Sequence, residues 1–140
     1  MAYLFDTDAI SELLRPRPLE AYVDWLKKIP REAQFTSAVV VGELYKGAYR
    51  SQARDRHLTN IEQRVLPAVT VLPFDAAVAR TFGQVCAQLE AVGQSLADAD
   101  LQIAATALYH HLALVSGNLR HFERIPKLKL ERILSKARNR

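Results

Sequence analysis

Short apolar runs alternate with longer stretches of helical period along the whole chain, and this alternation constrains the fold more than any other feature. Parallel strands need crossover connections of roughly a dozen residues or more, most often helices. A chain that alternates strand and helix therefore builds a mostly parallel sheet with helices packed on it. The expected strands are residues 3–5, 34–36, 69–74, 113–116 and 128–130. Pro73 puts the third of these at a sheet edge or at its own end, because proline has no N–H to give a ladder. Helices are expected over 8–14, 19–28, 38–53, 54–67, 76–92 and 98–110, with Asp8, Ser37, Asp75 and Asp98 as N-caps and Gly93 as a stop. The fold class is α/β, a sandwich of helices on a mostly parallel central sheet. One domain covers residues 1–140, with a basic, flexible tail from about Arg132.

Hydrophobic residues make up 49% of the chain and charged residues 24%, a globular rather than a disordered composition. A chain of 140 residues can bury roughly 70% of the surface its unfolded form exposes. No apolar run approaches the ~20 residues that span a bilayer, so no membrane partner is expected. Asp6 also interrupts the first apolar run too early for a secretory signal. Cys86 is the single cysteine, which fits a reducing cytoplasm better than a disulfide framework. The net charge of +4 permits a polyanionic partner without requiring one. Basic residues gather at Lys46, Arg50, Arg54 and Arg56, and again at Arg132, Lys136, Arg138 and Arg140. A solvated helix face and a loose terminus are the plainer readings of these two clusters.

Several carboxylates ask for more. Asp6 directly follows a strand expected to be buried on both faces, and ligands of open α/β sheets collect beyond the C-terminal ends of strands. Helix capping is the structural alternative for Asp6, but Asp8 is better placed for that task. At about 100° per residue, Asp100 falls on the stripe of Ile103, Ala104 and Ala107, while Asp98 lies on the far side. The helix dipole favours an inward carboxylate in a first turn. A second carboxylate such as Asp6 nearby would repel it unless a cation sat between them. A small set of hard oxygen ligands suits Mg²⁺ or Mn²⁺, which keep waters that a phosphate can displace. Glu43 shares one helix side with Lys46 and Arg50, opposite Val41, Leu44, Tyr45 and Ala48. It is either a solvent-facing glutamate or an acid on a groove wall whose two cations hold phosphates.

Other chemistries find little support. His110 and His111 are adjacent and diverge by a helical step, and no H-E-x-x-H exists, so a zinc site is disfavoured. There is no G-x-S-x-G elbow and no Walker-type glycine loop. Trp25, Tyr45, Tyr49 and Phe122 read as core or interface residues rather than base-stacking platforms.

Taken in order, four segments resemble the PIN domains of VapC-type toxins. Tyr3-Leu4-Phe5-Asp6-Thr7-Asp8-Ala9-Ile10-Ser11-Glu12 is similar to their opening, where Asn is common at the position of Asp8. Val41-Gly42-Glu43-Leu44 with Gly47 resembles the second acidic motif, and Asp100-Leu101-Gln102-Ile103-Ala104-Ala105-Thr106-Ala107 the third. Ser116-Gly117-Asn118-Leu119-Arg120-His121-Phe122, with Ile125-Pro126, resembles the closing segment. The resemblance implies a three-layer α/β/α fold and a Mg²⁺-dependent endoribonuclease that inhibits translation until a cognate antitoxin blocks it. It also implies a homodimer, with an antitoxin segment across the active-site groove. On that footing Asp6 and Asp100 are metal ligands and Glu43 is the third catalytic acid, with Asp8, Ser116 and Asn118 in support. Asn118 and His121 depart from the acids found at or near these positions in many relatives, which weighs against a second tightly held metal.

The expected chemistry is hydrolysis of an RNA phosphodiester by metal-activated water, with Lys46 and Arg50 on flanking phosphates. A haloacid-dehalogenase-like phosphatase is the rival, since Asp6-Thr7-Asp8 after a buried strand imitates its D-x-D; Ile10 stands where that family has Thr. A catalytically inactive PIN domain that only binds RNA or a partner is the third reading, and the intact Asp6, Glu43 and Asp100 argue against it.

Overall fold

In the computed structural model, which describes residues 1–139, five strands form one sheet. They are β1 (Tyr3–Phe5), β2 (Gln34–Ser37), β3 (Thr70–Leu72), β4 (Ala113–Val115) and β5 (Leu130–Glu131). Their order is β3-β2-β1-β4-β5, and every pairing is parallel. All residues of β1 and β4 are buried. Successive strand residues point to opposite faces, so helices cover both faces and the layering is α/β/α. These helices are α1 (Thr7–Leu13), α2 (Glu20–Leu26), α3 (Ala38–Arg50), α4 (Arg54–Asn60), α5 (Ala76–Ala91), α6 (Asp98–Tyr109), α7 (Leu119–Phe122) and α8 (Ile133–Arg138).

The chain winds outward from β1 through β2 to β3, then returns to place β4 on the other side of β1. Strand order therefore reverses between β1 and β4, and a crevice opens beyond their C-terminal ends. Asp6 is the first residue after β1, and Ser116 the first after β4. Thr36 Oγ1 donates to the Phe5 carbonyl at 2.7 Å and ties β2 to this end of β1. Under the sheet, Trp25 packs edge-on to Tyr3 with ring centroids 5.0 Å apart and stacks on Tyr22 at 6.1 Å.

Ser37 caps α3 by accepting from Val39 N–H at 3.0 Å, and Asp75 caps α5 through Val78 N–H at 3.0 Å. Gly93, at φ +70°, ends the turn after α5 in the left-handed region. β3, with Pro73 just beyond it, is an edge strand.

Several expectations need correction. The N-cap of α1 is Asp6, whose Oδ1 accepts from Ala9 N–H at 2.8 Å, and not Asp8. The helix starts at Thr7, so Asp8 lies inside its first turn. Asp98 does not cap α6; Ala97 precedes that helix without a side-chain cap bond, and Asp98 is its exposed first residue. The buried stripe of α3 is Val40, Leu44 and Ala48, an i, i+4, i+8 row, while Val41 and Tyr45 are half-buried. The helix ends at Arg50 rather than near Ala53. Beyond α4 the chain continues as a π turn over Ile61–Val65 and a 3₁₀ turn over Leu66–Ala68.

The segment from Arg132 is not a loose tail. β5 pairs with β4 just before it, and α8 packs on α2 with Leu134 and Ala137 buried. Arg140 lies outside the described residues.

Candidate active site

The switch point assembles the site from chain ends that have little freedom. Asp6 follows β1 and caps α1, which fixes its carboxylate with Oδ1 toward the helix N-terminus. Its backbone N–H donates to the Val115 carbonyl at 3.1 Å, locking it beside β4. Ser116 hydrogen-bonds the same carboxylate, and its Oγ accepts from Asn118 N–H at 2.9 Å. Asp6 is only 6% exposed.

Burial pushes the Asp6 carboxyl up to about 7, despite the hydrogen bonds from Ser116 and Ala9, and the charges of Asp8 and Asp100 push the same way. Among the described residues no cation pairs with Asp6. A buried carboxylate that carries its charge only reluctantly, next to a second carboxylate, is what a divalent cation would relieve.

Asp100 sits half-buried in the first turn of α6. Its Oδ2 lies 3.6 Å from His121 Nδ1. That nitrogen is 3.0 Å from Asn118 Nδ2. His121, bonded to Asn118 at the start of α7, thus lies beside Asp100 on the β4 side. The structure brings Asp6, Ser116, Asn118, His121 and Asp100 into one connected group.

Glu43 stands apart from that pair. It is half-buried on α3 and accepts a hydrogen bond from Thr7 Oγ1, so it faces α1 and not bulk solvent. Among the described residues no three His, Cys, Asp or Glu side chains converge closely enough to ligate a single ion. The donor set fits a hard cation held by two carboxylates and water, the usual manner for Mg²⁺.

From Thr7 and Glu43 a cavity of about 850 Å³ extends between α1 and α4. Its cationic lining is Arg15, Arg56 and Arg64, with His57 beside them. Lys46 and Arg50 are exposed on α3 but are not among the lining residues, so the groove's cations come largely from other elements. Asp8 is engaged elsewhere, in a salt bridge with Arg138 from α8. Arg138 and Thr7 are site residues that sequence reasoning missed; Thr7 was adjacent to Asp6, whereas nothing local signals an arginine 130 positions from its partner.

Fold and site together define a class: a parallel α/β domain with acids gathered at its topological switch point. The chain belongs to the PIN-domain family, which it matches over residues 3–128. It is 35% identical over 133 residues to Ribonuclease VapC2 of Haemophilus influenzae, a match covering 94% of this chain and 97% of that protein. It is also 37% identical over 124 residues to Toxin FitB of Neisseria gonorrhoeae, covering 85% and 89%. Among solved structures, DNA-bound VapBC from Salmonella typhimurium aligns with a TM-score of 0.87 at 29% identity, covering 94% of this chain and 97% of the other. FitAcB from Neisseria gonorrhoeae aligns with a TM-score of 0.84 at 33% identity, covering 92% and 96%. Nucleases of the PIN family use divalent metal ions. The haloacid-dehalogenase-like reading falls with this assignment, and Asp8, paired with Arg138, is not a free acid/base. No helix among the described residues is long and apolar enough to cross a membrane.

Proposed function

We propose that this protein is a Mg²⁺-dependent endoribonuclease of the cytoplasm, with Mn²⁺ able to substitute, and the toxin of a toxin–antitoxin pair. The observation that carries the reading is Asp6: buried, without a paired cation among the described residues, and close enough to Asp100 to feel its charge. When bound, the ion supplies Lewis-acid polarisation of a phosphate oxygen and a more acidic water.

The chain's own groups do the rest. Asp6 and Asp100 would hold the ion; Ser116 and the Ala9 N–H orient the first, and His121, bonded to Asn118, lies beside the second. Glu43, oriented by Thr7, takes the proton of the attacking water. Water adds to phosphorus, the bond to the 3′-oxygen breaks, and the products carry 5′-phosphate and 3′-hydroxyl ends. Arg15, Arg56 and Arg64 along the cavity hold flanking phosphates, and Lys46 and Arg50, exposed on α3, are further candidates for that role. The ribose 2′-hydroxyl is not the nucleophile, so preference for RNA lies in groove contacts.

The relatives named as ribonuclease and toxin support RNA as substrate and toxicity as outcome, and inhibition of translation is what the family resemblance implies. The VapBC and FitAcB complexes support an antitoxin as partner, and the family resemblance a homodimer. The test is cleavage of single-stranded or looped RNA by the purified chain with Mg²⁺ or Mn²⁺. Chelator should stop it, and Asp6→Asn should abolish it with the fold intact. Undiminished cleavage in excess EDTA would refute the mechanism.

A further inference from the structure

The inner face of α1 carries two acids that the reaction does not use. Asp8 and Glu12 lie about one turn apart, and both are bound by Arg138 at the end of α8. Arg138 Nη1 donates to Asp8 Oδ2 at 2.6 Å and Nη2 to Asp8 Oδ1 at 2.9 Å, a fork-on-fork pair that engages both carboxylate oxygens. Nη2 also donates to Glu12 Oε1 at 3.1 Å. Glu12 is 1% exposed and anchors the cluster at its inner end, while Asp8 and the Arg138 guanidinium are partly exposed. Gly117, between Ser116 and Asn118, is the second observation. A Cβ there would overlap both Arg138 Nη1 and Asp8 Oδ2. The loop after β4 thus leaves room for this ion pair beside the residues that orient Asp6.

We propose that Arg138 is a positioning residue for the metal site, the chain's own counter-cation that occupies both oxygens of Asp8 and withholds it from the ion. The inference rests on the two-carboxylate reading of the site. Asp8 is two residues from Asp6, and its charge already bears on the Asp6 carboxyl. Freed, it becomes a third carboxylate beside the cation. A third protein ligand tightens Mg²⁺ or Mn²⁺ but takes a coordination position that water and the scissile phosphate need. Lysine could not substitute fully, because a single ammonium lacks the planar fork that satisfies two oxygens at once.

The experiment is titration calorimetry of Mn²⁺ into the full chain, for wild type, Arg138→Ala and Arg138→Ala with Asp8→Asn. Arg138→Ala should bind Mn²⁺ about tenfold tighter, equivalent to ~1.4 kcal/mol, and cut RNA more slowly. Adding Asp8→Asn should return the affinity to the wild-type value. Should Arg138→Ala fail to fold, Gly117→Ala is the second route, since its methyl group overlaps both partners of the ion pair and parts them without altering charge. Unchanged or weaker Mn²⁺ binding in the single variant overturns the proposal, as does a gain that survives Asp8→Asn. Wild-type protein that binds no Mn²⁺ at all refutes the two-carboxylate reading itself, a result distinct from either.

Discussion

Asp6→Asn in metal-free protein isolates the electrostatic cost of the site. The folded chain holds the Asp6 carboxyl near 7 against an ordinary value of 3.8, chiefly through burial. Between those two values the folded state keeps a proton that the unfolded state has released. Stability from this group is therefore complete below the unfolded value and declines as pH rises through the folded one. At about 1.36 kcal/mol for each pH unit, the loss approaches ~4 kcal/mol above neutrality. Asparagine keeps the shape and remains a good N-cap, so the Ala9 N–H stays satisfied. Metal-free Asp6→Asn should thus match wild type near pH 4 and exceed it by up to ~4 kcal/mol at pH 8, on the order of 10 °C in Tm. Urea unfolding in EDTA across that range measures the difference. Parallel pH profiles, or a variant less stable than wild type at pH 8, would show that Asp6 is not a strained buried charge. Added Mn²⁺ should stabilise wild type at pH 8 and leave the variant unmoved.

Asp100→Ala should abolish RNA cleavage with metal-free melting unchanged or raised, whereas Asp98→Ala, exposed and without a cap bond, should cost only ~0.3–1 kcal/mol of dipole interaction and keep activity; thermal melts and cleavage assays side by side decide it, and inversion of the two results exchanges their roles. Replacing Arg56 and Arg64 by alanine should lower the log–log salt slope of RNA binding by about 0.7 per lost phosphate contact. Lys46→Ala with Arg50→Ala, off the cavity lining, should lower it less; equal slopes would return the phosphate track to α3.

The alternation of strand and helix made the sheet legible because each strand's run is short and bounded, and the two central ones are buried on both faces. β1 and β4 are the clear cases, and Pro73 marked the edge strand β3. α8 was not legible. Its apolar positions Ile133, Leu134 and Ala137 are embedded among Arg132, Lys136 and Arg138, and composition there reads as solvated. What fixes that helix is packing on α2 and the bond to Asp8, both long-range. Glu43 failed to declare itself for the same reason: on α3 alone it shares a side with Lys46, and only α1, bringing Thr7 across, shows that it faces a cavity. The wheel distinguished Asp100 from Asp98 correctly in exposure, but assigned Asp98 a cap that the backbone does not use.

Capping would not compete with metal binding at Asp6. One oxygen accepts from Ala9 N–H, and a carboxylate retains further lone pairs for Ser116 and for an ion. The cap bond fixes the side chain's rotation at the mouth of the crevice, as an outer-shell contact does for a metal ligand. It also supplies part of the stabilisation that makes a buried anion tolerable at all. Asp6→Ala and Asp6→Asn separate the two contributions. Both remove the charge, and both should silence cleavage. Only alanine loses the cap, a cost of about 1 kcal/mol. Metal-free Asp6→Ala should therefore fall below Asp6→Asn by roughly that amount at every pH. If the two variants unfold together, the Ala9 contact carries no energy, and the crevice must orient Asp6 through Ser116 alone.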